Sequence, residues 1–290
     1  MKLRVEADMT VLSMRKAPHF LIALPLVAMA LTGCQNARRA EQIAYVERPV
    51  EQLYQRATDE LDSRDYDNAI LMFNEVERQH PYSEWARRSS LMSAFASYES
   101  RKYDDAITTS QRYLSLNPAG QGAPYAYYLI SASYFDQIMD VGRDQKTTEL
   151  AKAALNDVVR RYPETDYARD ATIKLDMVQD QLAGKEMEIG RWYLRRNQHL
   201  SAVNRFRSVV KDYDTTSHAP EALHRLVETY LSIGLKQEAL AAGAVLGYNY
   251  PDSVWYRDTY RLLGNEGLDP EAVSEAQKRT WLQRLIPGGK

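Results

Sequence analysis

A frame of thirteen residues, Ala69 to Pro81 (AILMFNEVERQHP), recurs down this chain and limits its fold more than any other feature. Ala151 to Pro163 (AKAALNDVVRRYP) repeats its pattern of Ala, a large apolar residue four later, Asn, an acid, Val, Arg, a ring residue and Pro. Ala106 to Pro118 and Ala239 to Pro251 keep both ends, while Ala202 to Asp214 keeps the frame and replaces the Pro. Ala69, Phe73 and Val76 stand at i, i+4 and i+7, one face of an α-helix. Pro81 has no N–H to give and disfavours helical geometry at His80, so each frame reads as a helix with a stop. Twelve residues earlier, Ala57, Ala94 and Gly190 mark a preceding helix with a small residue at its closest approach. Turns such as Ser63-Arg64-Asp65-Tyr66 and Ser100-Arg101-Lys102-Tyr103 join the two helices. Ser83, Thr165 and Ser253, two residues past their prolines, are expected to cap the next helix.

Successive stops lie 37, 45, 51 and 37 residues apart, the two long intervals being insertions. The base period is close to the 34 of a tetratricopeptide repeat. One hairpin cannot bury its apolar face alone, whereas stacked hairpins form a continuous core. The expected fold is therefore all-α, a tetratricopeptide-like helical-hairpin solenoid of about five repeats.

Residues 1–33 read as a lipoprotein signal peptide. Arg15 and Lys16 precede an apolar stretch, Phe20 to Leu31, far short of a ~20-residue membrane span. Leu31-Thr32-Gly33-Cys34 resembles the bacterial lipoprotein signal, in which cleavage exposes a cysteine that takes lipid. Glu6 and Asp8 are foreign to such a leader and point to a start at Met14. Cys34 is the only cysteine, so it is the expected lipid attachment site and no internal disulfide is possible. With two or three acyl chains the anchor would be effectively permanent. The same resemblance to bacterial lipoproteins, in which Asp after the cysteine favours the inner membrane, implies the outer membrane for Gln35. Residues 34–48 form a lipidated tether, about 45 Å long if extended at ~3.3 Å per residue.

Residues 49–164 hold the N-terminal repeats, 165–264 the C-terminal repeats, and 265–290 a last helix and tail. The whole chain carries 37 Lys and Arg against 39 Asp and Glu, mixed along its length, which leaves no nucleic-acid footprint. Phe135 to Thr148 is an insertion with Asp136, Asp140 and Asp144, read as a polar helix end and loop. Thr165 to Arg196 is nearly continuous helical sequence, weakened at Gly184 by about 1 kcal/mol relative to Ala. Ser253 to Gly264 is a helix with Tyr256, Tyr260 and Leu263 on one face and Gly264 as its stop. Pro270 to Ile286 is a last amphipathic helix with Val273, Ala276 and Trp281 apolar, either a cap on the solenoid or a partner-binding tail.

No phosphate loop, zinc-protease or nucleophile-elbow motif is present, so no catalytic residue, metal or cofactor is assigned. Glu221, His224 and Glu228 share a helix face, where an ion-pair ladder is the expected arrangement. Tyrosine is in excess, 20 against 5 Phe. Tyr combines apolar area with a hydroxyl, which suits peptide-contacting surfaces. Tyr54, Tyr98 and Tyr128 fall on first helices and are the candidates for a substrate groove. Arg205, beside Asn204, offers a guanidinium either to a partner carboxylate or to an internal acid such as Glu188.

The lipid signal, the tether and the hairpins, with Asp157-Val158-Val159-Arg160-Arg161-Tyr162-Pro163, Ala202-Val203-Asn204-Arg205 and Lys211-Asp212-Tyr213, resemble the BamD (YfiO/ComL) family of outer-membrane assembly lipoproteins. The resemblance covers roughly residues 49–251. It implies a non-enzymatic scaffold on the periplasmic face of the outer membrane, bound to the POTRA domains of the insertase BamA and to other Bam lipoproteins. Asn204 and Arg205 fall in the segment that the resemblance assigns to BamA. The N-terminal repeats would receive unfolded outer-membrane β-barrel proteins. A different periplasmic repeat lipoprotein, serving peptidoglycan synthesis or division, stays open as the alternative.

Overall fold

The structure is a computed structural model and describes residues 49–285. Twelve α-helices follow one another among the described residues. They are α1 (Val50–Asp62), α2 (Tyr66–Gln79), α3 (Glu84–Glu99), α4 (Tyr103–Leu116), α5 (Ala123–Phe135), α6 (Lys146–Arg161), α7 (Asp166–Leu194), α8 (His199–Asp212), α9 (Ala219–Ser232), α10 (Lys236–Asn249), α11 (Val254–Asn265) and α12 (Glu275–Leu285). Each helix from α1 to α10 packs on the next, and α1, α3, α5 and α7 also pack side by side. The fold is the expected helical-hairpin solenoid.

The frame explains the packing position by position. Ala69, Ala106, Ala151, Ala202 and Ala239 are fully buried, which lets the neighbouring helix approach closely. Four residues on, Phe73, Leu155 and Phe206 fill the space so created. In the fifth copy Gly243 takes that place, and Leu263 of α11 fills the gap: a Cβ on Gly243 would stand 2.5 Å from its Cδ1. Val76, Val158, Val209 and Leu246 complete the buried face.

Helix ends repeat as faithfully. Ser83 accepts from Ala86 N–H at 3.0 Å, Thr165 from Ala168 N–H at 3.2 Å, and Ser253 from Trp255 N–H at 3.2 Å, so the expected caps form. Tyr213 ends α8 with φ −142° although Asp214 replaces the proline, much as Tyr162 ends α6 with φ −134°. The helix-to-helix turns share a device the sequence did not suggest. Arg64, Arg101, Asn197 and Gly234, each five residues before a frame alanine, all adopt positive φ between 56° and 78°. There the N–H of the following residue closes on a carbonyl five back, as in Lys102 to Ser97 at 2.8 Å.

The long middle segment is one helix of 29 residues, α7. Its N-terminal half packs on α6 and its C-terminal half on α8, so it serves two repeats. Gly184 has a packing reason, since a Cβ there would lie 3.1 Å from His218 Nε2.

Two expectations for the C-terminal region are corrected. Gly264 lies inside α11, and the stop is Gly267, whose φ of 70° only glycine adopts without cost. The stretch after Pro270 is not one helix, because Pro270–Ala272 forms a 3-10 turn and α12 begins at Glu275. Ala276 is exposed and Val273 half-buried, so α12 is anchored chiefly by Trp281, fully buried in the core of the C-terminal helices, with half-buried Leu282 packed beside that core. Arg284 adds an ion pair to Glu238 at 2.9 Å. The described tail caps the solenoid. No described helix is long and apolar enough to cross a membrane.

Candidate partner-binding surfaces

The side-by-side odd helices carry an aromatic stripe. Phe95 of α3 meets Tyr125 of α5 at 6.5 Å between centroids, Tyr125 meets Tyr167 of α7 at 5.6 Å, and Tyr167 meets Tyr128 at 5.3 Å. Tyr98 and Tyr128 are tied across the same helices by repeated bonds. The Tyr98 hydroxyl donates to Asp136 at 2.6 Å, and the Tyr128 hydroxyl donates to Asp170 at 2.7 Å. Lys174 pairs with Asp170 and lies 5.7 Å over the Tyr128 ring. Burial pushes the phenols of Tyr98 and Tyr128 up, and the carboxylates they donate to push them further, so both stay protonated. The hydroxyl protons of both are therefore engaged within the protein.

Tyr54 stands apart from these two. Its ring lies 4.8 Å from Trp85 and 5.6 Å from Phe73, in the first hairpin and its neighbour, with Arg88 at 5.7 Å over Trp85. Four contributors escaped the sequence reading: Trp85, Phe95, Tyr167 and Lys174. Tyr167 could have been found as the first aromatic after the Thr165 cap.

The second surface is on α8. Arg205 Nη1 lies 3.1 and 3.2 Å from the two carboxylate oxygens of Glu186. The internal acid is Glu186 and not Glu188, which instead sits 3.6 Å from Lys185. On a helix, residues 186 and 188 point about 200° apart, and it is Glu186 that reaches Arg205 of α8. Arg205 stays 42% exposed in its side chain, and Asn204 is exposed beside it. Both line a depression of about 220 Å³ with Tyr193, Ser201 and Ser208.

The face of Glu221, His224 and Glu228 is an ion-pair ladder. Arg225 bridges Glu221 at 3.3 Å and Glu228 at 2.7 Å, and Arg191 reaches Glu221 from α7 at 3.1 Å. His224 is buried, with Nδ1 2.8 Å from the Thr259 hydroxyl and Nε2 3.5 Å from Glu228. Burial alone would raise the Glu228 carboxyl, but hydrogen bonds from His224 and Arg225 outweigh it and hold it at about 2. No cluster of metal-ligating side chains occurs among the described residues. Cys34 lies outside them.

Residues 46–246 match the model of the family YfiO, outer membrane lipoprotein. The chain belongs to the YfiO family. A relative from Caulobacter vibrioides is 52% identical over 94% of this chain and 90% of its own length. One from Rickettsia prowazekii is 40% identical over 86% of this chain and 98% of its own. A third, from Neisseria meningitidis serogroup A, is 30% identical over 78% and 90%. All three are named outer membrane protein assembly factor BamD. The YfiO match runs from just before α1 into α10 and takes in both candidate surfaces, leaving α11 and α12 beyond it.

Proposed function

We propose that this chain is an outer membrane protein assembly factor that works as a lipid-anchored scaffold without catalysis of its own. The observation that carries the reading is its membership of the YfiO family, together with the name shared by relatives up to 52% identical. Cys34 holds the lipid and keeps the repeats at the periplasmic face of the outer membrane. The aromatic stripe around Tyr98, Tyr125, Tyr128 and Tyr167, with Tyr54 nearer the N-terminus, receives segments of unfolded β-barrel proteins. Its ring faces suit apolar and aromatic side chains without demanding one sequence. Asn204 and Arg205 contact the POTRA domains of the barrel insertase, with Arg205 exchanging or sharing Glu186 for a partner carboxylate. Other lipoproteins of the same machinery complete the assembly.

Depletion of the protein in its own bacterium tests the reading. Folded barrels should disappear from the outer membrane before growth stops. Normal barrel levels after full depletion would overturn it.

A further inference from the structure

Of the four tryptophans, Trp85 and Trp255 are half-buried and Trp281 is buried, whereas Trp192 is 41% exposed near the C-terminal end of α7. Its ring is held in place and only partly covered. The Arg196 guanidinium lies 3.7 Å from the ring centroid, and Tyr193 meets it edge-on at 5.0 Å. Stacked arginine and tryptophan lose little freedom on binding, which is why both are enriched among energetically dominant interface residues. Beside the ring is a depression of about 300 Å³ lined by Lys185, Glu188, Ile189, Trp192, Tyr193 and Arg195. Neither Arg195 nor Arg196 forms an ion pair among the described residues. Lys185 and Arg195 line the depression with a single carboxylate, Glu188, which Lys185 already approaches at 3.6 Å, and Arg196 adds a third cation on the Trp192 ring.

From this we infer that the Trp192 face is a docking surface for an acidic protein segment, one that inserts an apolar side chain beside Trp192 and sets carboxylates against Arg195 and Arg196. A depression lined by Ile189 and Trp192 takes a protruding apolar side chain, which favours a folded protein over the flat surface of a lipid layer. Tyr193 lines this depression and also the one that holds Asn204 and Arg205, so the two adjoin at that side chain. One partner covers both. The inference rests on the reading that the Arg205 face binds the insertase, and it extends that contact from α8 onto α7.

The test is the affinity of the lipidated full chain in detergent for the purified periplasmic domains of the insertase. The parent is compared with Trp192→Ala, Trp192→Phe, Arg195→Glu/Arg196→Glu and Arg205→Glu, with circular dichroism as the check on folding. Trp192→Ala should weaken binding about 30-fold and Trp192→Phe much less. The double charge reversal should weaken it at least about 10-fold and flatten its salt dependence. If Arg205→Glu weakens binding while the Trp192 and Arg195/Arg196 variants bind like the parent, the inference is wrong and the Arg205 reading stands. If Arg205→Glu also binds like the parent, the Arg205 reading fails and takes this extension with it. Loss of binding to phosphatidylglycerol vesicles by the double variant, with the protein affinity intact, would mark the face as lipid-directed and overturn the inference.

Discussion

The ring of Phe206 on α8 rests against the bare α-carbon of Gly190 on α7, so closely that a Cβ there would stand 2.4 Å from Phe206 Cε1. Three ring atoms lie within 2.9 Å of that point, and both residues are buried. Glycine inside a helix costs about 1 kcal/mol relative to alanine, yet alanine does not fit here. Gly190→Ala should destabilise the protein by about 1–2 kcal/mol, the overpacking cost exceeding the gain in helix propensity. Thermal unfolding would show this as a fall of about 2–6 °C. Phe206→Leu in the same chain should recover part of the loss, and a Gly190→Ala variant as stable as the parent would refute the close packing.

The left-handed turn residues make the opposite prediction. Arg64, Arg101 and Asn197 pay for positive φ, whereas Gly234 does not. Arg101→Gly should stabilise by about 0.5 kcal/mol, the relief of strain exceeding the added freedom of the unfolded chain. Gly234→Ala should destabilise by about 1 kcal/mol although a Cβ there meets nothing within 4 Å. Denaturant midpoints measure both, and equal midpoints for Gly234→Ala and the parent would contradict the backbone argument.

Glu228 gives the fold an acid-sensitive point. Its carboxyl is held at about 2 in the folded state against 4.5 for an unperturbed one. A group whose folded value is depressed stabilises fully above its unfolded value, and that contribution is lost as pH falls towards the folded value. Stability should therefore drop between pH 4.5 and about 2 as the bonds to Arg225 and His224 weaken. With the side chain about one third exposed, solvent screening leaves about 1 kcal/mol of this. Glu228→Gln should lower stability at neutral pH and flatten that part of the pH profile, measured by urea unfolding at each pH.

Removal of the lipid should change location before it changes fold. Cys34→Ser should leave an unprocessed or soluble chain with an unchanged helical spectrum, because a thioether cannot form at serine. Membrane fractionation reads the outcome. A Cys34→Ser protein that still fractionates with the outer membrane would contradict the anchor.

Periodic features were legible in the sequence because repeats present each packing decision several times over. Ala69 and its four counterparts are informative together where one alanine is not. The caps at Ser83, Thr165 and Ser253 were legible for the same reason. The turns were not, since Arg64, Arg101 and Asn197 carry no common side chain and only the backbone repeats. Pairing across helices was harder still. Glu186 and Glu188 are two residues apart in sequence, but α7 turns them to different neighbours. Gly264 was mistaken for a stop because a helix tolerates a glycine, whereas the turn itself requires one at Gly267. Tyr98 and Tyr128 were singled out by residue type and helix, and their aspartate partners lie 38 and 42 residues away, beyond any local pattern.

The most direct test of the central claim is a crosslinked pull-down of the tagged full chain from isolated outer membranes, with mass spectrometry of the captured proteins. A β-barrel insertase with POTRA domains should be a main partner, accompanied by unfolded barrel proteins. Cell-wall synthases or division proteins in their place, with no insertase, would contradict the assembly role and leave only the fold.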